Sequence, residues 1–426
     1  MRKVSRRDFL KSLGGLTAVS GQNESRGSSR KDTVTPVLHQ EKEIPFVCTA
    51  CDRGCGVLLT VRGGEVVGFE GDPDHPANQG FLCELGTSLF RLSLPKNGCH
   101  WTPPLLYRPA GSAAWEAKDW GWVLRTIALR IKEVLDAETE GGSEEEKSIG
   151  CFWDDSYLTN EERYLLFKFL QALGVPVRNI SRQPGAFSFG KLEDFAGRGF
   201  PGDAKESNQD SVLGRLRPQD ELADRLTSGN TKGLFIWGGG LLQCEPGNQT
   251  SMLRSPQWLV LVNWFKNRED FAASCAGITE TYPKTEAFVL PAAAPWGKSG
   301  SVISAGRWVQ WCIRAAEPQE QVKTPLWIID RLFVALRDAY HGSGVSSGGV
   351  VKVKWDYAGK TIPDAVLVAA EMYPSFLEHG RILDKQAASA QASIVCGLQD
   401  TGYRGGRELS MRRSLDHRRW GFLLPQ

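Results

Sequence analysis

The chain has 426 residues, enough for about two or three domains of ~150 residues each. Hydrophobic residues make up 41%, charged residues 23% and the net charge is +2, which excludes a disordered scaffold and gives no basic surface for nucleic acid or anionic lipid. The 14 tryptophans favour large packed layers, and no run of ~18 apolar residues is present to span a bilayer.

In chain order, Ser5-Arg6-Arg7-Asp8-Phe9-Leu10-Lys11 precedes a short, weakly apolar stretch from Leu13 to Val19. Paired arginines before such a stretch resemble a twin-arginine export signal, so export to the periplasm is expected. With the polar segment that follows, this signal and linker occupy residues 1–43. A small β-rich unit is expected over residues 44–100. Val57 to Val61 has strand character, Gly63-Gly64 is a turn signal, and Glu65 to Phe69 can return as a hairpin.

That unit also holds Cys48-x2-Cys51-x3-Cys55, with Cys83 further on. A short loop can present three thiolates while a distant cysteine closes the fourth corner, which is what a [4Fe–4S] cubane requires. Gly54 and Gly56 flank Cys55, as suits backbone wrapped around a bulky group. Structural zinc is the main competitor, but its ligands usually come as two separated pairs rather than three plus one. Chance spacing is the remaining alternative. Gly71 to Gly80 is polar and rich in turn formers, and His75 within it reads as a surface residue. The six other cysteines, Cys99, Cys151, Cys244, Cys275, Cys312 and Cys396, are scattered singly and read as small buried hydrophobes.

After a proline-rich loop from Pro103 to Pro109, a helix is expected from Asp119, its N-cap, to Leu135, with Val123, Leu124, Ile127, Ile131 and Val134 on one face. Glu138 to Ser148 reads as a solvated loop. Asn160 reads as the N-cap of a second helix ending at Gly174, with Glu161 and Glu162 set favourably against its dipole. Phe200 to Gln219 is polar and broken by Gly and Pro. Apolar runs Gly233–Trp237, Trp258–Val262 and Glu286–Leu290, separated by longer connections, predict a parallel sheet and an α/β body over residues 101–340. A last helix is expected from Pro325 to Arg337, and residues 341–426 form a poorly patterned tail.

Several stretches together resemble the catalytic (major) subunit of respiratory, exported formate dehydrogenases of the molybdopterin oxidoreductase family. They are the Ser5–Lys11 segment, Cys48-Thr49-Ala50-Cys51-Asp52-Arg53-Gly54-Cys55-Gly56, and Glu70-Gly71-Asp72-Pro73-Asp74-His75-Pro76-Ala77-Asn78-Gln79-Gly80-Phe81-Leu82-Cys83. Asn160-Glu161-Glu162, Gly197-Arg198-Gly199, Gly233 to Gly238 and Gly306-Arg307-Trp308-Val309-Gln310-Trp311 follow in the same order. The resemblance implies a [4Fe–4S] domain beside α/β layers that clasp a bis-molybdopterin guanine dinucleotide. It also implies an iron–sulfur β subunit and a membrane cytochrome b subunit as partners.

The departures are specific. Aligned on Gly197-Arg198-Gly199, the family's metal-ligating selenocysteine or cysteine and its catalytic histidine fall on Pro184 and Gly185. Proline offers no donor atom to a metal, and glycine cannot move a proton. Where the family has Pro-Lys-Gly after the fourth cysteine, this chain has Glu84-Leu85-Gly86. The family's long middle portion has no counterpart near residues 200–219, and its C-terminal β-barrel has none after residue 426. These features predict an electron-transfer or accessory subunit that has lost the molybdenum or tungsten pterin site. The alternatives are a competent formate dehydrogenase completed by a partner chain, and a decayed fragment.

Overall fold

The computed structural model describes residues 41–51, 53–94, 103–141, 148–154, 157–176, 180–183, 226, 229–238, 256–265, 268–304, 308–341, 348–359, 363–372 and 422–423. The export-signal segment, Pro184, Gly185, the stretch 200–219 and Cys99, Cys244 and Cys396 lie outside them.

The N-terminal unit is an antiparallel sheet of β1 (Lys42–Val47), β2 (Gly56–Arg62) and β3 (Glu65–Gly71), in that order. The expected hairpin is present, turning through Gly63 and Gly64 at φ 61° and 87°, values open to glycine. The segment from Asp72 to Cys83 leads to helix α1 (Glu84–Arg91), which begins directly after Cys83. Its Phe90 is fully buried and contacts Phe46 and Phe69 edge-on or tilted at 6.0 and 5.8 Å.

The body is a seven-stranded sheet in which β6 (Ile149–Asp154), β7 (Ile180–Gln183), β8 (Gly233–Trp237), β9 (Trp258–Asn263) and β10 (Glu286–Pro291) run parallel. Short antiparallel strands β4 (Leu106–Arg108) and β5 (Glu116–Ala117) extend it past β10. The three apolar runs expected as strands are β8, β9 and β10. Their residues are buried throughout because both faces of the sheet are covered.

Side chains alternate between two cores. Phe235, Val260 and Phe288 point to the layer of α2 (Trp120–Gly141), α3 (Asn160–Ala172) and α5 (Pro325–Tyr340). Ile236, Leu261 and Val289 face the other side, where α4 (Arg268–Thr281) contributes Phe271, Cys275 and Ile278. The result is a three-layer α/β fold.

Helix α2 buries the predicted stripe, and the Asp119 carboxylate accepts from the Trp122 N–H at 2.9 Å, as an N-cap should. It runs to Gly141, beyond the expected end at Leu135, and Glu138 accepts from the Ser148 N–H at 2.7 Å. The start of α3 differs by one residue. Thr159, not Asn160, is the N-cap: its hydroxyl accepts from Glu162 N–H and the Glu162 carboxylate accepts from Thr159 N–H, a complete capping box. Gly174 follows the helix at φ 72°, as expected of its stop.

Beyond Tyr340 the described residues include two short helices. Helices α6 (Gly348–Lys352) and α7 (Ala365–Met372) rest on the helical layer. Trp355 stacks on Phe333 at 3.8 Å and donates to Asp330 at 2.9 Å. A third sheet, β11 (Gly300–Ile303), β12 (Trp308–Cys312) and β13 (Phe422–Leu423), is antiparallel. Among the described residues no helix is long and apolar enough to cross a membrane.

Candidate metal centre

The loop between β1 and β2 carries Cys48, Cys51 and Cys55, and Cys83 stands at the N-cap of α1. All four are free thiols. Cys48 and Cys55 are buried, while Cys51 and Cys83 are half-buried. The loop is pinched at its base, where the Cys48 N–H donates to the Cys55 carbonyl at 2.8 Å.

The sulfurs share one neighbourhood. Cys48 feels the charge of Cys55, Cys51 and Cys83, and burial first, then these like charges, push its thiol up to about 12. Cys55 is also raised, mainly by burial, with the Arg53 guanidinium opposing. Metal binding must therefore displace protons from buried thiols, which an incoming cation makes favourable.

Gly86 forms one wall. A Cβ there would lie 3.2 Å from Cys48 Sγ, closer than usual, and 4.0 Å from Cys83 Sγ, so the bare glycine lets the helix pack tightly against Cys48. Among the described residues no three His, Cys, Asp or Glu side chains are arranged around a single ion. A cubane asks less of each thiolate, because every iron occupies its own corner. Four free thiols on two segments, with a bare glycine between two of them, fit that group.

A shell of polar contacts holds the loop. The Asn78 side chain accepts from Gly56 N–H at 2.8 Å and donates to the Gly56 and Phe81 carbonyls at 3.0 Å. Arg53 donates to the Ala77 carbonyl at 3.0 Å. His75, expected at the surface, is fully buried. Its Nδ1 accepts from Ala77 N–H at 3.2 Å, so Nε2 carries the proton and donates to Gln310 at 2.9 Å. Gln310 in turn donates to the Gly54 carbonyl at 3.1 Å. Burial holds His75 below its ordinary pKa and so neutral. The room for these contacts comes from glycine: a Cβ on Gly56 would stand 2.4 Å from the His75 ring, and one on Gly54 2.6 Å from Gln310.

On its inner side the loop meets a cavity lined by Cys48, Cys51, Tyr157, Arg163, Lys298 and Cys312, among others. Lys298 is buried, donating to Glu162 at 2.7 Å and to the Tyr157 carbonyl at 2.6 Å. Burial lowers its pKa, and Glu162 opposes that effect. Glu161 is buried too, accepting from the N–H and hydroxyl of Ser301 at 2.6 Å each. The sequence marked Glu161 and Glu162 as complements to a helix dipole and as part of a resemblance motif, with no partner for either. It gave no contact for Lys298 or Gln310, whose partners are more than a hundred residues away.

Pro184 and Gly185 lie outside the described residues. Leu85, where the resemblance has a lysine, is 56% exposed, and Phe81 is 66% exposed.

Residues 41–93 match the family described as the molybdopterin oxidoreductase Fe4S4 domain. The chain is 34% identical over 182 residues to formate dehydrogenase 2 subunit alpha (cytochrome c-553) of Nitratidesulfovibrio vulgaris, covering 41% of this chain and 18% of that protein. It is 35% identical over 141 residues to formate dehydrogenase subunit alpha of Megalodesulfovibrio gigas, covering 32% and 14%. For the formate dehydrogenase-O major subunit of Escherichia coli the figures are 30% over 220 residues, 46% and 21%. The matched stretches thus span between 14% and 21% of these relatives' length. A solved structure, acetylene hydratase from Pelobacter acetylenicus, superposes over 73% of this chain and 71% of that one at 10% identity and TM-score 0.40, too loose a likeness to carry an argument.

Proposed function

We propose that this chain, which carries a molybdopterin oxidoreductase Fe4S4 domain and resembles formate dehydrogenase major subunits, is an electron-transfer or accessory subunit. In this reading Cys48, Cys51, Cys55 and Cys83 hold one [4Fe–4S] cluster. The observation that carries the ligand assignment is the set of four free thiols on two segments, two of which, Cys48 and Cys83, flank Gly86. When bound, the cluster supplies one-electron transfer. The chain's own residues orient the thiols. Asn78, Arg53 and the His75–Gln310 pair fix the loop backbone, and the apolar residues Phe46, Val57, Phe90 and Trp296 share one packed cluster with Cys48 and Cys55.

The loss of pterin chemistry rests on Pro184 and Gly185, which supply neither a metal donor nor a proton carrier where the resemblance places both. Exposed Leu85 supports the same reading, since it offers no charge between cluster and pterin. We assign an iron–sulfur β subunit and a cytochrome b subunit as electron partners, and the periplasm as the compartment, from the resemblance and the Ser5–Lys11 segment.

The test is anaerobic purification of the full chain with metal and pterin analysis. About four irons per chain are expected, with visible absorption that bleaches on dithionite, and no molybdenum, tungsten or pterin. Stoichiometric zinc without iron would overturn the cluster. Bound pterin with formate-dependent dye reduction would overturn the accessory role.

A further inference from the structure

The cavity beside the thiol loop has a charged wall on its far side. Cys48 and Cys51 line it from the loop, and Thr159, Arg163 and Lys298 line it from the body. Lys298 donates to Glu162 at 2.7 Å, and Glu161 precedes Glu162 in the first turn of α3. Glu161, Glu162 and Lys298 are each at most 3% exposed. Their pairing is unequal, since two buried carboxylates stand with one buried ammonium, and that ammonium is spent on Glu162. Glu161 accepts instead from the N–H and hydroxyl of Ser301 at 2.6 Å each, both neutral donors. A buried carboxylate held only by neutral donors is the member of such an array that most readily keeps a proton.

The smaller sheet ties this carboxylate to the thiol loop. Ser301 lies on β11, and the next residue, Val302, pairs with Gln310 of β12. Gln310 donates to the Gly54 carbonyl at 3.1 Å, one residue before Cys55. A Cβ on Gly54 would stand 2.6 Å from both Gln310 and Ser304, so the loop rests directly on this sheet. Two hydrogen bonds and one strand spacing of ~4.8 Å therefore lead from Glu161 to the loop. Over such a distance inside a protein, charges still act on one another.

The other titratable groups nearby are engaged. Arg163 donates to the Asn160 side chain at 2.5 Å, and burial keeps the Tyr157 hydroxyl and the Cys312 thiol of β12 protonated. Further along α3, Tyr164 and Lys168 bind Glu371 of α7 at 2.9 and 2.6 Å, and Tyr357 binds the same carboxylate at 2.8 Å. Asp330 of α5 pairs with Arg331, and Lys352 of α6 is exposed. His75, bound to Gln310, is kept neutral by burial.

We propose that Glu161 takes up a proton when the cluster is reduced, so that electron and proton enter this chain together. This rests on the cluster reading above. In the step, one electron from the reducing partner enters the cluster, whose charge falls by one unit. One proton from water forms the Glu161 O–H bond, and no other bond changes. The added negative charge favours the protonated carboxyl, and by linkage that proton favours the reduced cluster. Burial already brings Glu161 up to about 7. The potential should therefore be level at lower pH, fall as pH rises above about 7, and level off once Glu161 is ionised in both states. The fall is at most ~59 mV for each tenfold drop in proton concentration.

The test reconstitutes the full chain anaerobically and measures iron per chain and the midpoint potential, by dye-mediated titration, from pH ~5.5 to ~9. Wild type should show the sloping region, and Glu161→Gln, equally loaded with iron, should be level throughout. Ser301→Ala removes a hydroxyl donor that favours the ionised carboxylate, so its sloping region should move to higher pH. A level potential in wild type, or the wild-type slope kept in Glu161→Gln, overturns the proposal. Where Glu161→Gln does not load, a sloping region left unmoved in Ser301→Ala overturns it. A wild-type chain without iron overturns the cluster reading and this proposal together, whereas an iron-loaded wild type with a level potential overturns this one alone.

Discussion

Gly86 shows how closely the thiol site depends on single atoms. Glycine inside a helix costs roughly 0.5–1 kcal/mol relative to alanine, so a gain elsewhere must offset it. The contact geometry supplies that gain: a methyl at position 86 would press on Cys48 Sγ at 3.2 Å, and a branched side chain would occupy the space between the sulfurs. Gly86→Val should reduce iron per reconstituted chain well below wild type, with Gly86→Ala between them. Equal iron in all three would show that the sulfurs do not meet on this face. The four cysteines were legible in sequence because their spacing is itself a chemical pattern. Gly86 was not, because its constraint arises only when α1 folds against Cys48. His75 was misread for a related reason: a polar loop looks solvated until Gln310 arrives from a distant strand to bury it.

At the scale of elements, the strands of the large sheet and the stripe of α2 follow directly from apolar periodicity. The start of α3 was harder, since Thr159 and Asn160 are both good caps. Capping-box spacing decides it, because Glu162 lies three residues after Thr159, whereas Arg163 holds that place after Asn160. Strand β12 was legible only as part of a motif, yet it braces the thiol loop through His75–Gln310–Gly54. A buried hydrogen bond contributes ~1 kcal/mol, and an orphaned buried partner costs ~1–3 kcal/mol. Both His75→Ala and Gln310→Ala should therefore speed cluster loss to a chelator several-fold. Because the two side chains act as one brace, the double variant should lose iron no faster than the worse single. Additive rates would mean that each residue acts alone.

At the scale of the whole chain, a buried polar array joins the body to the sheet beside the thiol loop. Asn160, Glu161 and Glu162 begin α3, while Lys298 and Ser301 belong to the segment entering β11. Such an array is costly unless every member is satisfied, and its charge state bears on the stability of all the parts it links. Burial raises the Glu161 carboxyl from 4.5 to about 7, against the opposing Ser301 donors and with a smaller contribution from Glu162. Between those values the folded chain holds a proton that the unfolded chain has released. The stabilisation is thus complete below about 4.5 and is lost as pH rises through about 7. A shift of this size corresponds to about 3 kcal/mol. The wild-type chain should consequently melt at lower temperature at pH ~7.5 than at pH ~5.5. Glu161→Gln, which is neutral throughout and can still pair with Ser301, should flatten that slope. An unchanged slope in the glutamine variant would place the pH dependence elsewhere and leave Glu161 ionised across the range.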